Sequence, residues 1–208
     1  MTGHWPKVRP GSAEDPVRCA VLISGSGSGM VALVKHQQHD PNCGHATVVV
    51  ISNRPDAAGL RKAEDMGVAT QCLDHRDHEG PSARAMHEAA VVEALVHHRV
   101  ELVVLSGYMR LLSPTFLETW GGPVVNIHPS LLPAFPGAHA HRDVLAAGVS
   151  VTGCTVHVVD EGMDTGHILD QVPVPVFPDD DETSLSDRVK VEEHRLYPAV
   201  IDRLVADR

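Results

Sequence analysis

Short apolar runs alternate with amphipathic segments through the first two thirds of the chain. Runs that are apolar on both faces occur at 19–24, 47–52 and 101–105, and segments with apolar residues at helical spacing occur at 57–66 and 82–98. Strands that are buried on both faces and separated by helices are typical of a parallel sheet covered on both sides. The pattern therefore predicts an α/β fold.

The final third has a different pattern. Strand-like runs at 151–159 and 168–176 follow each other with only a short loop between them. Pro173 and Pro175 confine the second run to an edge or a lightly paired position, because proline cannot donate a ladder hydrogen bond. We predict an open twisted sheet with helices on both faces. It is mostly parallel, Rossmann-like in its N-terminal half, and ends in antiparallel C-terminal strands.

The domain organisation and the helix starts follow from the same pattern. We find no repeat or linker, and we predict a flexible tail over 1–16 and a single domain over 17–208. Ser82, Ser113 and Thr183 each precede a helical pattern, so we predict that they are N-caps.

The segment 124–137 carries the clearest chemical signal. An apolar run leads to Asn126, Ile127 and His128, and three prolines follow that exclude helix and regular sheet. Side chains alternate along a strand, so Asn126 and His128 project from one face. An amide and an imidazole side by side can stabilise charge on an oxygen and move a proton near neutral pH. The segment therefore predicts attack on a carbonyl-like carbon.

Several informative segments come directly after predicted strands. They are the glycine-rich loop at 25–29, the segment 107–112, the proline loop and the loop that contains Asp164. Ligands of open α/β sheets collect at the carboxyl ends of the strands, so these segments predict one cleft. Glycines before a helix let backbone amides approach an anion, which predicts a phosphate site at 25–29.

A second interpretation of the glycine loop stays open. Residues 27–32 fit the loose dinucleotide pattern Gly-x-Gly-x-x-Ala, and Arg54 could accept a 2′-phosphate. A nicotinamide-dinucleotide-binding module is therefore an alternative function. It lacks an acidic ribose partner after the second strand and leaves Asn126 and His128 without a role.

Charge and composition exclude several classes of protein. The net charge of -10 and the pI near 5.8 argue against a nucleic-acid partner. No apolar run approaches the roughly 20 residues of a membrane helix, so we expect no membrane partner. The four cysteines have no Cys-x-x-Cys spacing, which favours a reduced protein in the cytoplasm.

Fifteen histidines raise the question of a metal, but no His-Glu-x-x-His or Cys/His motif occurs. We therefore expect no metal at the site. Isolated histidines on helices are expected to be solvated; they are His36, His39, His87, His97 and His98.

The motifs resemble those of a known family. Asn-Ile-His-Pro-Ser-Leu-Leu-Pro at 126–133, Pro-Gly at 136–137, Gly-Cys-Thr-Val-His at 153–157 and Asp-Glu-Gly-Met-Asp-Thr-Gly at 160–166 are similar to the signature of the folate-dependent formyltransferases. The resemblance implies 10-formyltetrahydrofolate as co-substrate, glycinamide ribonucleotide as acceptor, and no metal. It leaves the oligomeric state open, with a homodimer as one option.

The resemblance also implies three groups of site residues. The catalytic residues would be Asn126, His128 and Asp164. The phosphate and ribose of the nucleotide would contact Gly27, Ser28, Gly29 and Glu193. The folate would contact Arg84, Met109, Arg110, Leu111 and Leu112. Residues 17–120 would form the phosphate- and nucleotide-binding half, and 121–208 the catalytic and folate-binding half.

This chain departs from the family at two positions. Family members often carry Asn where this chain has Ser26 and Gly29, so two side-chain donors are lost while the backbone amides stay. The implied reaction is direct attack of the nucleotide's amine on the formyl carbon, in the purine pathway. A formyltetrahydrofolate deformylase, a hydrolase that uses the same residues with water as acceptor, is the alternative enzyme.

Overall fold

A computed structural model describes residues 6–206, which form one seven-stranded sheet in the order β3-β2-β1-β4-β5-β6-β7. The strands are β1 (Val17–Ile23), β2 (His45–Ser52), β3 (Thr70–Cys72), β4 (Leu102–Leu105), β5 (Val124–His128), β6 (Val151–Val158) and β7 (Ile168–Pro175). β1 to β5 are parallel, and β6 and β7 are antiparallel to their neighbours. The predicted mixed sheet is confirmed.

Helices cover both faces of the sheet. They are α1 (Ser28–His39), α2 (Ala58–Asp65), α3 (Ala83–His97), α4 (Pro114–Trp120), α5 (Ala140–Ala147) and α6 (Glu182–Val205). Along β1, Val21 and Ile23 pack on the face covered by α1, α2, α5 and α6, whereas Ala20 and Leu22 pack on the face covered by α3 and α4. None of the helices within 6–206 is long and apolar enough to cross a membrane.

The strand order produces a crevice between β1 and β4. From β1 the chain proceeds to β2 and β3 on one side, and it then returns to add β4 and β5 on the other side. Loops after β1 and β4 therefore diverge, which is where open α/β sheets bind ligands. The hydroxyl of Tyr197 in α6 lies 2.9 Å from the carbonyl oxygens of both Leu105 and Val125, so it ties this helix to the ends of β4 and β5.

One of the three predicted helix caps is wrong. Ser82 lies at the N-cap position of α3, as predicted, although its side chain makes no capping hydrogen bond. Thr183 lies inside α6, which begins with a capping box: Asp181 accepts from the Ser184 amide, and the Ser184 hydroxyl accepts from the Asp181 amide. The cap at Ser113 is confirmed, because its hydroxyl accepts from the Phe116 amide at 3.0 Å.

The N-terminal segment packs beside the start of β1. Arg9 donates to Glu101 at 2.5 Å, and the Gly11 amide donates to the Val205 carbonyl at 2.9 Å. A Cβ on Gly11 would lie 1.9 Å from the Gly44 carbonyl oxygen, so only glycine permits this approach. Residues 6–16 of the predicted tail thus contact the sheet and α6, while residues 1–5 lie outside the described part of the chain.

Candidate active site

A cleft of about 680 Å³ opens at the carboxyl ends of β1, β4 and β5. This volume is in the range of small-molecule sites. The predicted site residues that line it are Gly27, Ser28, Gly29, Met109, Arg110, Leu111, Leu112, Asn126, His128, Asp164 and Glu193. Arg84 does not line it.

One end of the cleft is the N-terminus of α1. Gly27 is the N-cap, with φ 65°, and no side chain within residues 6–206 accepts from the first-turn amides, which leaves them available to an anion. The loop is fixed by α2, because the Gly59 amide donates to the Gly25 carbonyl at 3.0 Å. A Cβ on Gly27 would lie 2.9 Å from the Gly59 Cα, so position 27 needs glycine for its positive φ and for this close approach.

The predicted catalytic side chains meet at the other end of the cleft. His128 ends β5, and its Nε2–H donates to the Phe135 carbonyl at 2.8 Å. Its Nδ1 therefore faces Asp164, whose Oδ2 is 3.4 Å away. Asp164 also accepts the Gly137 amide at 2.8 Å and has a left-handed backbone, with φ 56°. When the His128 ring is doubly protonated, its second proton lies beside the Asp164 carboxylate.

His157 joins this group and was given no role from the sequence. It pairs with Asn126 across β5 and β6, and its Nδ1–H donates to the Val158 carbonyl at 2.9 Å. The Nε2 atom of the neutral ring must then accept from Asn126 Nδ2, at 3.2 Å. Burial lowers the pKa of His157, which favours the neutral ring. His157 thus fixes which end of the Asn126 amide faces it.

Side chains of β6 and β7 hold the proline loop in place. The Thr155 hydroxyl donates to the Ser130 carbonyl at 2.6 Å and accepts the Leu132 amide at 3.0 Å. Gln171 in β7 donates to the Leu132 carbonyl at 2.8 Å. Prolines keep this segment out of the sheet, so its backbone groups form hydrogen bonds with side chains of β6 and β7. These bonds hold the loop close to His128.

The segment after β4 forms the exposed apolar wall of the cleft. Met109 is 70% exposed and Leu111 is 56% exposed. The Met109 amide donates to the Ser24 hydroxyl at 2.8 Å, which connects this wall to the end of β1. An exposed apolar pair beside fixed backbone groups suits a flat aromatic ligand.

Arg84 contacts this wall and is not among the residues that line the cleft. Its guanidinium donates to the Leu111 carbonyl at 2.7 Å and to Glu88 at 3.0 Å. Glu88 also accepts the Ser113 amide at 3.0 Å.

The predicted solvation of His87 is wrong. Its side chain is buried in α3, and burial lowers its pKa to about 4. The helical periodicity of the sequence showed neither the contacts of Arg84 nor the burial of His87.

Helix α6 brings a second carboxyl group to the cleft. Glu193 is partly buried, and desolvation raises its pKa to about 7. Lys190, one turn earlier, lines the same cleft, as does His141 of α5. Neither was predicted, because a lysine on an amphipathic helix and a histidine in a short one look like ordinary surface residues.

Comparison with known proteins identifies the family. The model of the formyl transferase family matches residues 17–201. The chain belongs to the formyl transferase family. A phosphoribosylglycinamide formyltransferase of Bacillus subtilis is 39% identical over 186 residues, which cover 89% of this chain and 93% of that protein. The crystal structure of a phosphoribosylglycinamide formyltransferase from Brucella melitensis is 42% identical, covers 93% of this chain and 97% of its own, and has a TM-score of 0.85.

Longer family members match over only part of their length. The trifunctional purine biosynthetic protein adenosine-3 of Drosophila melanogaster is 45% identical over 189 residues, or 90% of this chain. The chain spans 14% of that relative's length. The match therefore concerns one segment of a much larger protein.

Proposed function

We propose that this formyl transferase family member transfers the formyl group from N10 of 10-formyltetrahydrofolate to the primary amine of glycinamide ribonucleotide, in purine biosynthesis. The observation that carries the proposal is the meeting of Asn126, His128 and Asp164 in one cleft with an uncapped helix N-terminus. The relatives named above as phosphoribosylglycinamide formyltransferases support it.

The cleft provides a place for each part of the two substrates. The amides of the N-cap Gly27 and of Ser28 and Gly29 in the first turn of α1 bind the nucleotide's phosphate, and the Glu193 carboxylate accepts hydrogen bonds from the hydroxyls of its ribose. The folate packs against Met109 and Leu111, while Arg110 and Leu112 complete that wall. Residues 17–120 thus supply the phosphate- and nucleotide-binding half, and 121–208 supply the catalytic side chains. Because the wall follows β4, the folate contacts in this proposal come from residues 17–120 and not from 121–208.

The chemistry needs no covalent intermediate with the protein. The amine attacks the formyl carbon directly, and Asn126 donates to the oxygen as it gains negative charge. The imidazolium of His128 stabilises the same charge electrostatically and helps to protonate the departing folate nitrogen through water, since its two N–H groups face the Phe135 carbonyl and Asp164. Asp164 holds the His128 ring and accepts the amine proton through water. Holding two substrates together provides a large part of the rate.

The proposed reaction also bears on the partners, location and assembly of the enzyme. The substrates are small and anionic, so neither a nucleic acid nor a membrane takes part, and the reaction requires no metal. We propose a cytoplasmic enzyme, and a homodimer as the assembly to test against the monomer. Mass measurement by light scattering across a range of protein concentrations distinguishes the two.

The two alternatives are less favoured. The dinucleotide module would explain α1 but not the three side chains at the opposite end, and the relatives are formyltransferases. The deformylase would use the same side chains, but α1 and Glu193 then have no phosphate and ribose to bind.

One experiment separates all three functions. The purified protein is incubated with 10-formyltetrahydrofolate, with and without glycinamide ribonucleotide, and folate absorbance is followed. The proposal predicts release of tetrahydrofolate only when the nucleotide is present. Release without the nucleotide would indicate the deformylase, and no release in either case, with binding of a dinucleotide by fluorescence titration, would indicate the binding module.

A further inference from the structure

A cluster of metal-ligating side chains lies at the end of the molecule opposite the cleft. It contains His36 near the end of α1, Cys43 in the following loop, His45 at the start of β2 and Asp202 near the end of α6. The nitrogen, sulfur and oxygen atoms that could act as ligands all lie within 4.8 Å of one another. These four residues are called the α1-β2-α6 cluster below.

The distances within the cluster are close to those of a metal site. His36 Nε2 lies 2.9 Å from one oxygen of Asp202, and His45 Nε2 lies 2.9 Å from the other. Zinc ligands lie about 2.0–2.3 Å from the ion in a tetrahedron, so they are roughly 3–4 Å apart. The cluster therefore needs only a small contraction to surround an ion.

The hydrogen bonds of Gln37 decide what His45 can do. Gln37 Oε1 accepts the Thr47 amide at 3.0 Å, so its Nε2 faces His45 Nδ1 at 2.8 Å and donates to it. The proton of the neutral His45 ring is therefore on Nε2, where it is donated to Asp202. His45 thus orients the carboxylate and is not itself a ligand, as is usual for the groups around a bound metal.

We propose that His36 Nε2, Cys43 Sγ and a carboxylate oxygen of Asp202 bind a divalent zinc-like ion, with water as the fourth ligand and His45 holding the carboxylate. A thiolate with an imidazole selects zinc over magnesium or calcium, which prefer oxygen ligands. The thiolate and the carboxylate balance the charge of the ion. The thiol proton, which Cys43 donates to the His45 carbonyl at 3.3 Å, leaves to solvent on binding. The proton that His36 Nε2 donates to Asp202 also leaves through solvent, and the neutral ring then carries its proton on Nδ1.

The position of the cluster indicates a structural role. It joins α1, β2 and α6, and it lies at the amino-terminal end of β2, away from the carboxyl ends of the strands that form the cleft. His36 and Asp202 are about one third exposed, at 32% and 39% of their side-chain surface, so an ion can enter from solvent. Bound metal should therefore raise the melting temperature and leave formyl transfer unchanged.

The test uses the full chain after removal of metal with a chelator. Addition of Co²⁺ should produce a thiolate-to-cobalt absorption band, and Zn²⁺ should abolish that band by competition and raise the melting temperature. Cys43→Ser and His36→Gln should each remove the effect. His45→Gln should weaken the affinity for Zn²⁺ by about 10- to 100-fold without abolishing it, as loss of an outer-shell partner does.

Matched controls are available in the same chain. Cys72→Ser removes an exposed thiol outside the cluster, and His39→Gln removes an exposed imidazole one turn beyond His36, so both should bind Co²⁺ normally. Absence of the thiolate band in the unmutated protein would overturn the proposal, and the cluster would then be a network of hydrogen bonds only. An equal loss of the band in the control variants would overturn it as well.

Discussion

The two ends of the cleft are built in different ways. At the phosphate end, backbone amides of α1 face the cleft. Gly27 is needed there because it has no Cβ, which would collide with the backbone of Gly59. At the transfer end, the groups that face the cleft are side chains, from β5 and from the loop that contains Asp164. Each has a hydrogen-bond partner that orients it: the Phe135 carbonyl for His128, the His157 ring for Asn126, and the Gly137 amide for Asp164.

This difference determines how each end tolerates change. The phosphate end depends on a local turn and a helix start, and the groups that it offers to an anion are backbone amides, which do not depend on the side chain at Ser26. The transfer end depends on the register of antiparallel strands and on single atoms. Changes there should reduce the rate of the chemical step, whereas changes at the phosphate end should reduce nucleotide affinity.

The largest effect should come from Asp164→Asn. We expect the rate of formyl transfer to fall by about 10³-fold, because the amide neither stabilises an imidazolium nor accepts a proton. Asn tolerates the left-handed backbone at this position, so the fold should persist. Single-turnover rates measure the step, and calorimetry should show almost unchanged affinity for the nucleotide. Near-normal turnover would remove Asp164 from the mechanism.

A smaller effect should follow when Asn126 loses the partner that orients it. His157→Phe keeps a ring but removes the acceptor for Asn126, and we expect kcat to fall by about 10- to 100-fold with KM almost unchanged. His157→Gln, which can still accept a hydrogen bond, should restore part of the rate.

A double-mutant cycle tests whether His157 acts through Asn126. In an Asn126→Ala background, His157→Phe should cost little further activity, since the amide that it orients is already gone. Additive losses in this cycle would show that His157 contributes to turnover by another route.

The same contrast explains what the sequence could reveal. The parallel half was predictable because its strands are apolar on both faces, as in Leu102–Leu105, where every residue is buried. β3 (Thr70–Cys72) was missed, since its three residues are not buried and form no apolar run. The start of α6 was placed at Thr183 because Asp181 and Ser184, which form the cap, resemble ordinary loop residues.

At the site, the sequence motifs predicted the candidate catalytic residues but not the side chains that hold them in place. The contact of His157 with Asn126 depends on a strand pairing across 31 positions, and the contact of Arg84 with the Leu111 carbonyl depends on how α3 lies against the loop after β4. The α1-β2-α6 cluster joins residues more than 150 positions apart, so no local spacing could indicate it.

At the phosphate end, Gly27→Ala should weaken nucleotide binding by about tenfold and leave kcat at saturation almost unchanged. A Cβ on Gly27 would lie 2.9 Å from the Gly59 Cα, and alanine is strained at the φ of 65°, so the start of α1 must shift and its hydrogen bonds to the phosphate weaken. Gly25→Ala is the matched control, because its Cβ meets nothing within 4 Å. Equal affinities of the two variants would contradict the assignment of the phosphate to α1.

The smallest effect should be the pH dependence that Glu193 adds to nucleotide binding. Burial raises the pKa of Glu193 to about 7, so the carboxyl gains its charge as the pH rises through 7. Only the ionised form accepts two ribose hydroxyls, and affinity should therefore increase several-fold from pH 6 to pH 8. Calorimetric titrations of the unmutated protein and of Glu193→Gln at each pH provide the comparison.

The substrate's own phosphate also titrates near pH 6, but it does so equally with both proteins. The ratio of the two affinities therefore isolates Glu193. It should favour the unmutated protein at pH 8 and approach equality at pH 6. A ratio that stays constant across this range would mean that the carboxyl group does not bind the ribose, and the phosphate end would then rest on the backbone of α1 alone.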